Sequence, residues 1–269
     1  MCGRYDLTVT AQELVARFGA AVASLGDNSV GVTANGNAEW RPRYNIAPSQ
    51  RNPVVVRDAS GHNNIELMRW GLVPAWSREP KVPYSTINAR VETLTSKPTF
   101  RKPLSTQRCL VPATAYFEWT QGQGGIGGIG GKAAGMNQRS HGSQGKQPYR
   151  IGLRGHVEHE EHGEGGLGGI FAMAGLYDIW QGPDGQALHT YTIVTTEAND
   201  ALRAIHSRMP VILPRDVEGV WLDRDNRDIE TLISLLQPYP AEEMRAYPVS
   251  RLVNSPSNEG RELIAALRN

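Results

Sequence analysis

The sequence predicts an α+β fold in which a curved antiparallel or mixed β-sheet, or a β-barrel, carries helices at its periphery. Three observations lead to this class. Short runs rich in β-branched and aromatic residues follow one another with little helical pattern between them. The helical patterns that do occur are short and amphipathic. The length of 269 residues is ample for one large core, so we expect a single domain over residues 1–269.

The individual elements follow from local patterns. Thr10 precedes Glu13 by three positions, the spacing of a capping box, so a helix is expected over residues 11–23. Asn199 opens a second predicted helix, in EANDALRAIH, and amphipathic helical turns fill the last quarter of the chain. The predicted strands are PVVVRD, IELMRW, RCLVPA, AYFEWT, PYRIGL, IFAMAGLYDIW, LHTYTIVTT and MRAYPVS, and the late helical turns are VEGVWL, DIETLISLL and GRELIAAL.

Two glycine-rich insertions interrupt this pattern. Residues 121–147 are of low complexity and are predicted to form a disordered loop. They lack the Gly-Lys-Ser or Gly-Lys-Thr ending of a phosphate-binding loop and a predicted helix behind it. Residues 156–169 carry His156, His159 and His162 among glutamates. This triplet could collect a metal ion, but a polar hairpin tip is the favoured interpretation.

The charge distribution and the number of cysteines narrow the class of protein and its cellular compartment. Residues 41–108 carry twelve Lys and Arg against four Asp and Glu, although the whole chain has a net charge of only +1. Such a segment suits a phosphate-binding surface or a solvated basic face, and charge alone does not separate the two. Two cysteines make neither a disulfide framework nor a metal knuckle, and Cys109 is expected in the core. With no long apolar run, we expect a soluble protein of the reducing cytoplasm, associated with the nucleoid in a bacterium, or of a nucleus.

The second cysteine lies directly behind the initiator methionine, in MCGRYDL. Removal of Met1 would leave Cys2 with a free α-amine, which makes the residue a 1,2-aminothiol. The pKa of such an amine is near 7.7–8.0 and that of a thiol near 8.5, so both groups are partly nucleophilic at neutral pH. An aldehyde would give a Schiff base with the amine, and the thiol would close it to a thiazolidine. On residue type alone, an idle terminus is the favoured interpretation.

Other positions could serve such a nucleophile. Glu118 alternates with large aromatic residues in AYFEWT, where burial would raise the pKa of its carboxyl group for acid–base work. His206 ends a predicted helix and could be a proton shuttle or an ordinary capping residue. Asn88 and Arg90 could bind a sugar hydroxyl and a phosphate from one side of an extended segment. Trp70 begins an aromatic loop in the basic segment, suited to stacking on bases or to filling a core.

Several motifs together resemble one family. MCGRY, RYNIAPSQ, RWGLVPAW, INARVET, RCLVPA with YFEW, and IHSRMPVIL occur in the order and character of the SRAP (SOS-response-associated peptidase) family of abasic-site processing proteins. The resemblance runs from residue 2 to about residue 265 and is interrupted only by the two insertions. It implies the SRAP fold and a protein that binds abasic sites in single-stranded DNA. We expect no metal and no cofactor, and nothing in the sequence indicates more than a monomer.

The resemblance also implies roles for individual residues. Cys2 would attack the aldehyde of the opened deoxyribose and form a covalent, reversible thiazolidine crosslink that protects the lesion during the DNA damage response. Asn88 would hold the opened sugar, Glu118 would move protons, and His206 would assist reversal. The implied DNA contacts are Arg4, Arg90 and Arg208 to phosphates and Trp70 as a base-separating wedge, with Asn45 and Pro48 as structural support near Cys2.

Three other functions remain open at this stage. An amidohydrolase with an N-terminal nucleophile, of the glutaminase type, would use Cys2 with Asn35-Gly36 as its oxyanion pair. A non-covalent DNA-binding module would have an inert terminus and salt-sensitive binding. A peptidase acting on its own Met1 would use the same aminothiol, glutamate and histidine, although a cellular aminopeptidase could remove Met1 equally well.

Overall fold

The computed structural model describes residues 2–22, 40–81, 84–120, 146–155 and 169–267. Nearly all of the two glycine-rich insertions, with the histidine triplet, therefore lies outside the described residues. The Asn35-Gly36 pair also lies outside them. The sequence-based interpretations of these segments stay predictions.

Fourteen strands and four α-helices form the described part of the chain, with short 3₁₀ turns between them. Every strand predicted from the sequence is present. The bounds are β1 Arg4–Leu7, α1 Ala11–Phe18, β2 Ala21–Val22, β3 Arg43–Ile46, β4 Arg51–Arg57, β5 Asn63–Trp70, β6 Asn88–Arg90, α2 Pro98–Thr106, β7 Arg108–Ala113, β8 Ala115–Trp119, β9 Pro148–Leu153, β10 Phe171–Gln181, β11 Ala187–Glu197, β12 Arg208–Pro210, β13 Ile212–Leu213, α3 Arg215–Leu222, α4 Ile229–Ser234 and β14 Met244–Pro248.

Five strands close into a barrel. β11, β10, β7, β4 and β5 pair in that order as antiparallel neighbours, and β5 then pairs with β11 in parallel. In the closing pair, Thr190 lies opposite Arg69 and Tyr191 lies opposite Trp70. Strand direction cannot alternate all the way around an odd-numbered ring, so one parallel pair is required. The predicted mixed sheet or barrel is thus confirmed, and closure leaves these five strands without an open edge.

Aromatic side chains join the barrel to the second sheet. The Trp70 ring stacks on Tyr191 with centroids 6.3 Å apart and meets Tyr5 of β1 edge-on at 5.3 Å. The hydroxyl groups of Tyr5 and Tyr191 are hydrogen-bonded at 2.7 Å. All three rings are fully buried, so this cluster fixes the N-terminal strand against the barrel.

The second sheet has the strand order β14-β9-β8-β1-β3. A buried ion pair spans three of its strands, because Arg150 of β9 binds Asp6 of β1 across β8. Arg150 Nε donates to Asp6 Oδ2 at 2.7 Å and Nη2 donates to Oδ1 at 3.0 Å. Its third nitrogen, Nη1, donates to the Tyr247 hydroxyl group of β14 at 2.8 Å. The pair therefore ties the N-terminal strand to the rest of its sheet.

The helices depart from prediction more than the strands do. The Thr10–Glu13 capping box is present, but α1 ends at Phe18 because Gly19 adopts a left-handed conformation with φ 55°. The predicted helix after Asn199 is wrong: the segment is a series of turns, in which the Asn199 side chain accepts from the Leu202 amide. GRELIAAL contains a 3₁₀ helix, and α2 was not predicted. None of the helices in the described residues is long and apolar enough to cross a membrane.

Candidate active site at the N-terminal cysteine

Cys2 lies just before β1, where the second sheet meets the barrel. Its side chain has no exposed surface. The thiol contacts the Arg4 carbonyl oxygen at 3.8 Å, and the Cys2 carbonyl oxygen accepts a hydrogen bond from Asn88 Nδ2 at 2.8 Å. Burial, and then the negative charge of Glu118, raise the pKa of the Cys2 thiol well above its usual range. The thiol is therefore protonated at neutral pH until a base removes its proton.

Asn88 and His206 are both positioned by strands that pair with the C-terminal half of β11. β6 runs parallel to β11, with Asn88 opposite Ile193. β12 runs antiparallel along β11, with Arg208 opposite Glu197. Asn88 begins β6, and His206 lies two residues before β12. One strand thus supports an amide and an imidazole that come from distant parts of the sequence.

The side-chain oxygen of Asn88, Oδ1, accepts no hydrogen bond from the described residues. Its side chain is buried, and Nδ2 is committed to the Cys2 carbonyl oxygen. Oδ1 is also buried and has no hydrogen-bond partner among the described residues. A buried acceptor without a partner costs free energy, which a donor from a bound molecule would recover.

Glu118 reaches the same region from the second sheet. β8 pairs antiparallel with β1, with Phe117 opposite Arg4. Continuing this register by one position brings Glu118 beside Gly3. Burial raises the pKa of Glu118 to about 7, although the positive charge of the chain's amino group acts in the opposite direction. A carboxyl group with this pKa can both accept and donate a proton at neutral pH.

This pKa predicts a stability effect for Glu118→Gln. The pKa rises from 4.5 to about 7 on folding, so ionising Glu118 opposes folding. The cost is absent below pH 4.5, grows as the pH rises to 7 and is complete above it. Since 1 pKa unit corresponds to about 1.4 kcal/mol, we expect Glu118→Gln to raise the free energy of unfolding by about 3 kcal/mol at pH 8. Urea unfolding at pH 4.5 and 8 measures this, and an equal effect at both pH values would contradict it.

His206 contacts the backbone of Arg208 through its Nδ1 atom. Nδ1 lies 2.9 Å from the Arg208 amide nitrogen, which can donate to it, and 3.3 Å from the Arg208 carbonyl oxygen, which can accept from it. Partial burial, and then the positive charge of the chain's amino group, lower the pKa of His206. The same amino group acts on the pKa of Glu118.

Arg4 and Asn45 connect the strand that follows Cys2 to the C-terminal part of the described chain. Arg4 Nη1 donates to Asn45 Oδ1 at 2.8 Å, and the buried Asn45 amide donates to the C-terminal loop over residues 253–258. Arg4 also donates to carbonyl oxygens of this loop, Val253 at 2.8 Å and Asn254 at 3.0 Å. The guanidinium group predicted to bind phosphate is thus engaged by the protein itself. Pro48 lies at the turn after β3, beyond Asn45.

Arg208 is likewise engaged by the protein. Its Nη1 and Nη2 atoms bind the two carboxylate oxygens of Glu92 at 2.6 and 3.1 Å, and Nη2 also donates to the Thr195 carbonyl oxygen at 2.6 Å. The side chain of Arg208 is only 13% exposed. Arg90, by contrast, is exposed at the end of β6.

Trp70 does not have the predicted position. It is fully buried in the aromatic cluster, and its Nε1 atom donates to the Ile87 carbonyl oxygen at 2.8 Å. A ring without exposed surface cannot stack on a base. The predicted role of Trp70 as a wedge between bases is therefore wrong. Trp76, six residues further along the same loop, is 69% exposed. Trp70 ends β5 with its ring packed against Tyr5 and Tyr191, whereas Trp76 lies on the exposed loop that follows.

Sequence reasoning also missed Glu92. It lies two residues after Arg90 in INARVET, and the only available signal was a carboxylate in a segment rich in cations. Its pairing with Arg208 joins residues far apart in the chain, so the spacing did not reveal it.

The fold and the site together define a class of protein: a mixed β-barrel that holds a cysteine at position 2 against a side-chain amide and beside a buried carboxyl group. Within that class the chain belongs to the SOS response associated peptidase (SRAP) family, whose family model matches residues 1–256. The family resemblance predicted from the motifs is confirmed.

Named relatives and a solved structure agree with this assignment. The chain is 39% identical over 264 residues to the abasic site processing protein YoqW of Bacillus subtilis, covering 98% of this chain and 99% of that protein. It is 34% identical over 242 residues to the abasic site processing protein HMCES of Gallus gallus, covering 85% of this chain and 67% of that protein. A crystal structure of a Bacteroides thetaiotaomicron protein superposes with a TM-score of 0.73 at 26% identity, covering 99% of this chain and all of that one.

Proposed function

We propose that this protein processes abasic sites in DNA, and that it does so by forming a reversible thiazolidine crosslink between Cys2 and an abasic site in a single strand. Its similarity to two proteins named abasic site processing proteins supports the broader function. The observation that carries the chemistry is the arrangement at Cys2: its carbonyl oxygen is held by Asn88, and its thiol lies within electrostatic range of a carboxyl group with a pKa of about 7.

The proposed reaction begins after Met1 is lost, because an acylated α-amine cannot form a Schiff base. The neutral amine of Cys2 attacks the C1′ aldehyde of the opened deoxyribose and gives a carbinolamine. Loss of one water molecule gives the protonated imine. The sulfur of Cys2 then bonds to the imine carbon, the thiol proton passes to a base, and the nitrogen becomes the secondary amine of the ring.

Glu118 and His206 are the proposed proton carriers. Glu118 as a carboxylate accepts the proton of the amine or the thiol, and as an acid it protonates the departing hydroxyl group. His206 donates a ring proton to the ring sulfur or nitrogen during reversal. Asn88 presents its buried Oδ1 atom as an acceptor for a hydroxyl group of the opened sugar. Arg4 and Asn45, with Pro48 beyond them, hold the backbone behind Cys2.

The DNA surface is proposed beside this site. Arg90, two residues after Asn88, is exposed and supplies a phosphate contact. Trp76 exposes its ring on the loop after β5 and replaces Trp70 as the proposed stacking residue. The guanidinium groups of Arg4 and Arg208 bind protein acceptors, so these two residues support the site from within or bind a phosphate in addition to those acceptors.

The test of the proposed function uses three single strands of one sequence. One carries an aldehydic abasic site, one carries an abasic site reduced to the alcohol, and one is intact. The mature protein is incubated with each, boiled in detergent and separated by electrophoresis. We expect a shifted band with the aldehyde alone. A shifted band with the reduced strand, or the absence of a shifted band with the aldehydic strand, would contradict the proposal.

Arg90→Ala tests the phosphate contact. Each phosphate neutralised on a single strand contributes roughly 0.7 to the slope of log K against log salt, so we expect this variant to lower the slope by about that amount and to weaken binding at physiological salt. Arg245→Ala removes an exposed arginine on the outer strand β14 and serves as the matched control. Equal slopes for wild type and Arg90→Ala would remove Arg90 from the interface.

The amidohydrolase reading remains the alternative for the same nucleophile. Its oxyanion pair, Asn35-Gly36, lies outside the described residues. Ammonia release from glutamine, measured with the mature protein, separates the two functions, because the aldehyde chemistry consumes no amide. Release that depends on Cys2, without any crosslink to abasic DNA, would favour the amidohydrolase.

A further inference from the structure

We propose that Arg51 and Arg69 form a second phosphate-binding subsite, which together with Trp76 makes a docking surface for the nucleotides that flank the abasic site. The proposal rests on the proposed function for its substrate, and it adds the path that the strand takes beyond the lesion. Its partner is therefore single-stranded DNA, bound through one phosphate and one base next to the lesion.

The surface is built on a row of residues that runs across the closure of the barrel. Arg51 of β4 lies opposite Arg69 of β5, and Arg69 lies opposite Thr190 of β11. Thr190 in turn lies opposite Asp178 of β10. Residues opposite each other in neighbouring strands point to the same face of a sheet, so all four share one face. We call these four residues the seam row. Trp70, the next residue of β5, packs on the opposite face in the buried aromatic cluster.

One half of the seam row holds the loop that carries Trp76. The Val73 amide donates to Thr190 Oγ1 at 2.9 Å. The Ala75 amide donates to Asp178 Oδ2 at 2.8 Å. Trp76 follows directly and exposes 69% of its surface. Because the backbone before it is hydrogen-bonded to the sheet, the ring is held in place before DNA binds, and stacking costs less conformational entropy.

The other half of the seam row places two positive charges side by side. Arg51 is exposed and Arg69 is partly buried. Like charges directly opposite each other in a sheet repel and lower stability. A phosphate bound between the two guanidinium groups would replace this repulsion with two charge-assisted interactions. The arrangement therefore costs stability in the free protein and suits an oxyanion ligand.

Arg69 is not neutralised by the acidic residues of its own segment. Its Nε atom is buried and has no hydrogen-bond partner among the described residues. The carboxylate of the seam row, Asp178, lies two strands away and accepts hydrogen bonds from three N–H groups. Each of the four carboxylates in residues 41–108 has a partner elsewhere: Asp58 the Ser60 and His62 amides, Glu66 the His189 ring, Glu79 the Lys81 ammonium group and Glu92 the Arg208 guanidinium group.

The seam row lies close to the lesion site along β11. Thr190, which faces Arg69, is three residues before Ile193, which faces Asn88. Three residues of a strand span about 10 Å. Their odd separation puts Arg69 and Asn88 on opposite faces, so the strand has to turn over the end of β5, where the loop that carries Trp76 begins. The nucleotides that reach the seam row are thus those next to the lesion.

Three single strands with a reduced abasic site test the surface, because they bind without forming a crosslink. The short strand has one nucleotide on each side of the site. The long strand extends it with ordinary nucleotides, and the base-free strand has the same length with reduced abasic sites throughout. The variants are Arg51→Gln, Arg69→Gln and Trp76→Ala. Arg245→Gln is the matched control, since it makes the same change at an exposed arginine on β14.

The three strands separate the phosphate contact from the stacking contact. We expect each of Arg51→Gln and Arg69→Gln to bind the long strand about fivefold more weakly than wild type. The slope of log K against log salt should fall by roughly 0.7 for each variant. The same loss should appear on the base-free strand, and none on the short strand. Trp76→Ala should bind the long strand about tenfold more weakly and the base-free strand as wild type does. Arg245→Gln should match wild type throughout.

Unfolding by urea without DNA distinguishes a binding role from a structural one. Arg69→Gln removes a like-charge contact, so we expect it not to lower the free energy of unfolding. Arg51 is exposed, and Arg51→Gln decides the proposal by itself if Arg69→Gln does not fold. Wild-type binding of the long strand by the arginine variants, or an equal loss on the short and long strands, would overturn the proposal. A wild type that shows the expected pattern but forms no crosslink with an aldehydic strand would contradict the proposed function and leave the docking surface standing.

Discussion

Replacing Cys2 with alanine is expected to abolish the complex with abasic DNA that survives boiling in detergent. Alanine keeps the α-amine after Met1 is removed, so a Schiff base can still form, but no sulfur is present to close the ring. An imine exchanges with water, whereas a thiazolidine persists. We therefore expect a shifted band from wild type and none from Cys2→Ala when both are denatured without a reducing agent for imines.

Borohydride separates the two steps of this reaction. It reduces an imine to a stable amine, so Cys2→Ala incubated with abasic DNA and borohydride should regain a shifted band. Cys109→Ala is the control, because Cys109 is the other cysteine of the chain and lies buried in β7. A stable band from Cys2→Ala without borohydride, or its loss in Cys109→Ala with the fold intact, would contradict the assignment of the nucleophile. A form that retains Met1 should form no band without borohydride, because the acylated nitrogen of Cys2 cannot take part in a thiazolidine ring.

Replacing Arg150 with alanine is expected to destabilise the fold by about 3–5 kcal/mol, the usual cost of removing one partner of a buried ion pair. Asp6 has no exposed surface and the Arg150 side chain is 7% exposed, so the remaining carboxylate would be left without its partner in the interior. Because Asp6 belongs to β1, this loss would loosen the strand that follows Cys2. Denaturant unfolding with a two-state fit measures the change.

The control for this prediction is an ion pair of different burial. Lys81 and Glu79 are 2.5 Å apart, but their side chains are 83% and 61% exposed. Surface pairs contribute about 0–1 kcal/mol, so Lys81→Ala should have little effect. Comparable losses from the two variants would mean that burial of the Asp6–Arg150 pair does not determine its contribution. A double variant, Asp6→Asn with Arg150→Met, should recover part of the loss, because it leaves no buried charge behind.

Local patterns predicted the strands better than the helices, for a physical reason. Alternating and continuous apolar runs mark strands that pack on a core, and in a barrel every strand does so. The short helices depend on neighbours instead. The segment after Asn199 has a side-chain cap and helical spacing, yet it spans too few residues for a helix that is marginal by itself, and tertiary contacts leave it as turns.

Some features of the candidate site could likewise be predicted from local sequence, and others could not. The chemistry of Cys2, the expected burial of Glu118 among aromatic residues and the polar pair Asn88 and Arg90 could be read from residue types and spacing. Burial of Trp70 could not, because whether a tryptophan faces inward depends on which strands close the barrel. The pairing of Arg208 with Glu92 was invisible for the same reason.

The sequence by itself determined the family, the predicted nucleophile and the strands, because each of these depends on residue identity at neighbouring positions. Only the tertiary structure decided which charged groups face the solvent and which bind one another. Arg4 and Arg208 have the residue type of phosphate contacts, but their guanidinium groups are held by Asn45 and Glu92. An arginine binds the acceptor that the fold places within reach, and strand pairing between distant segments sets that distance.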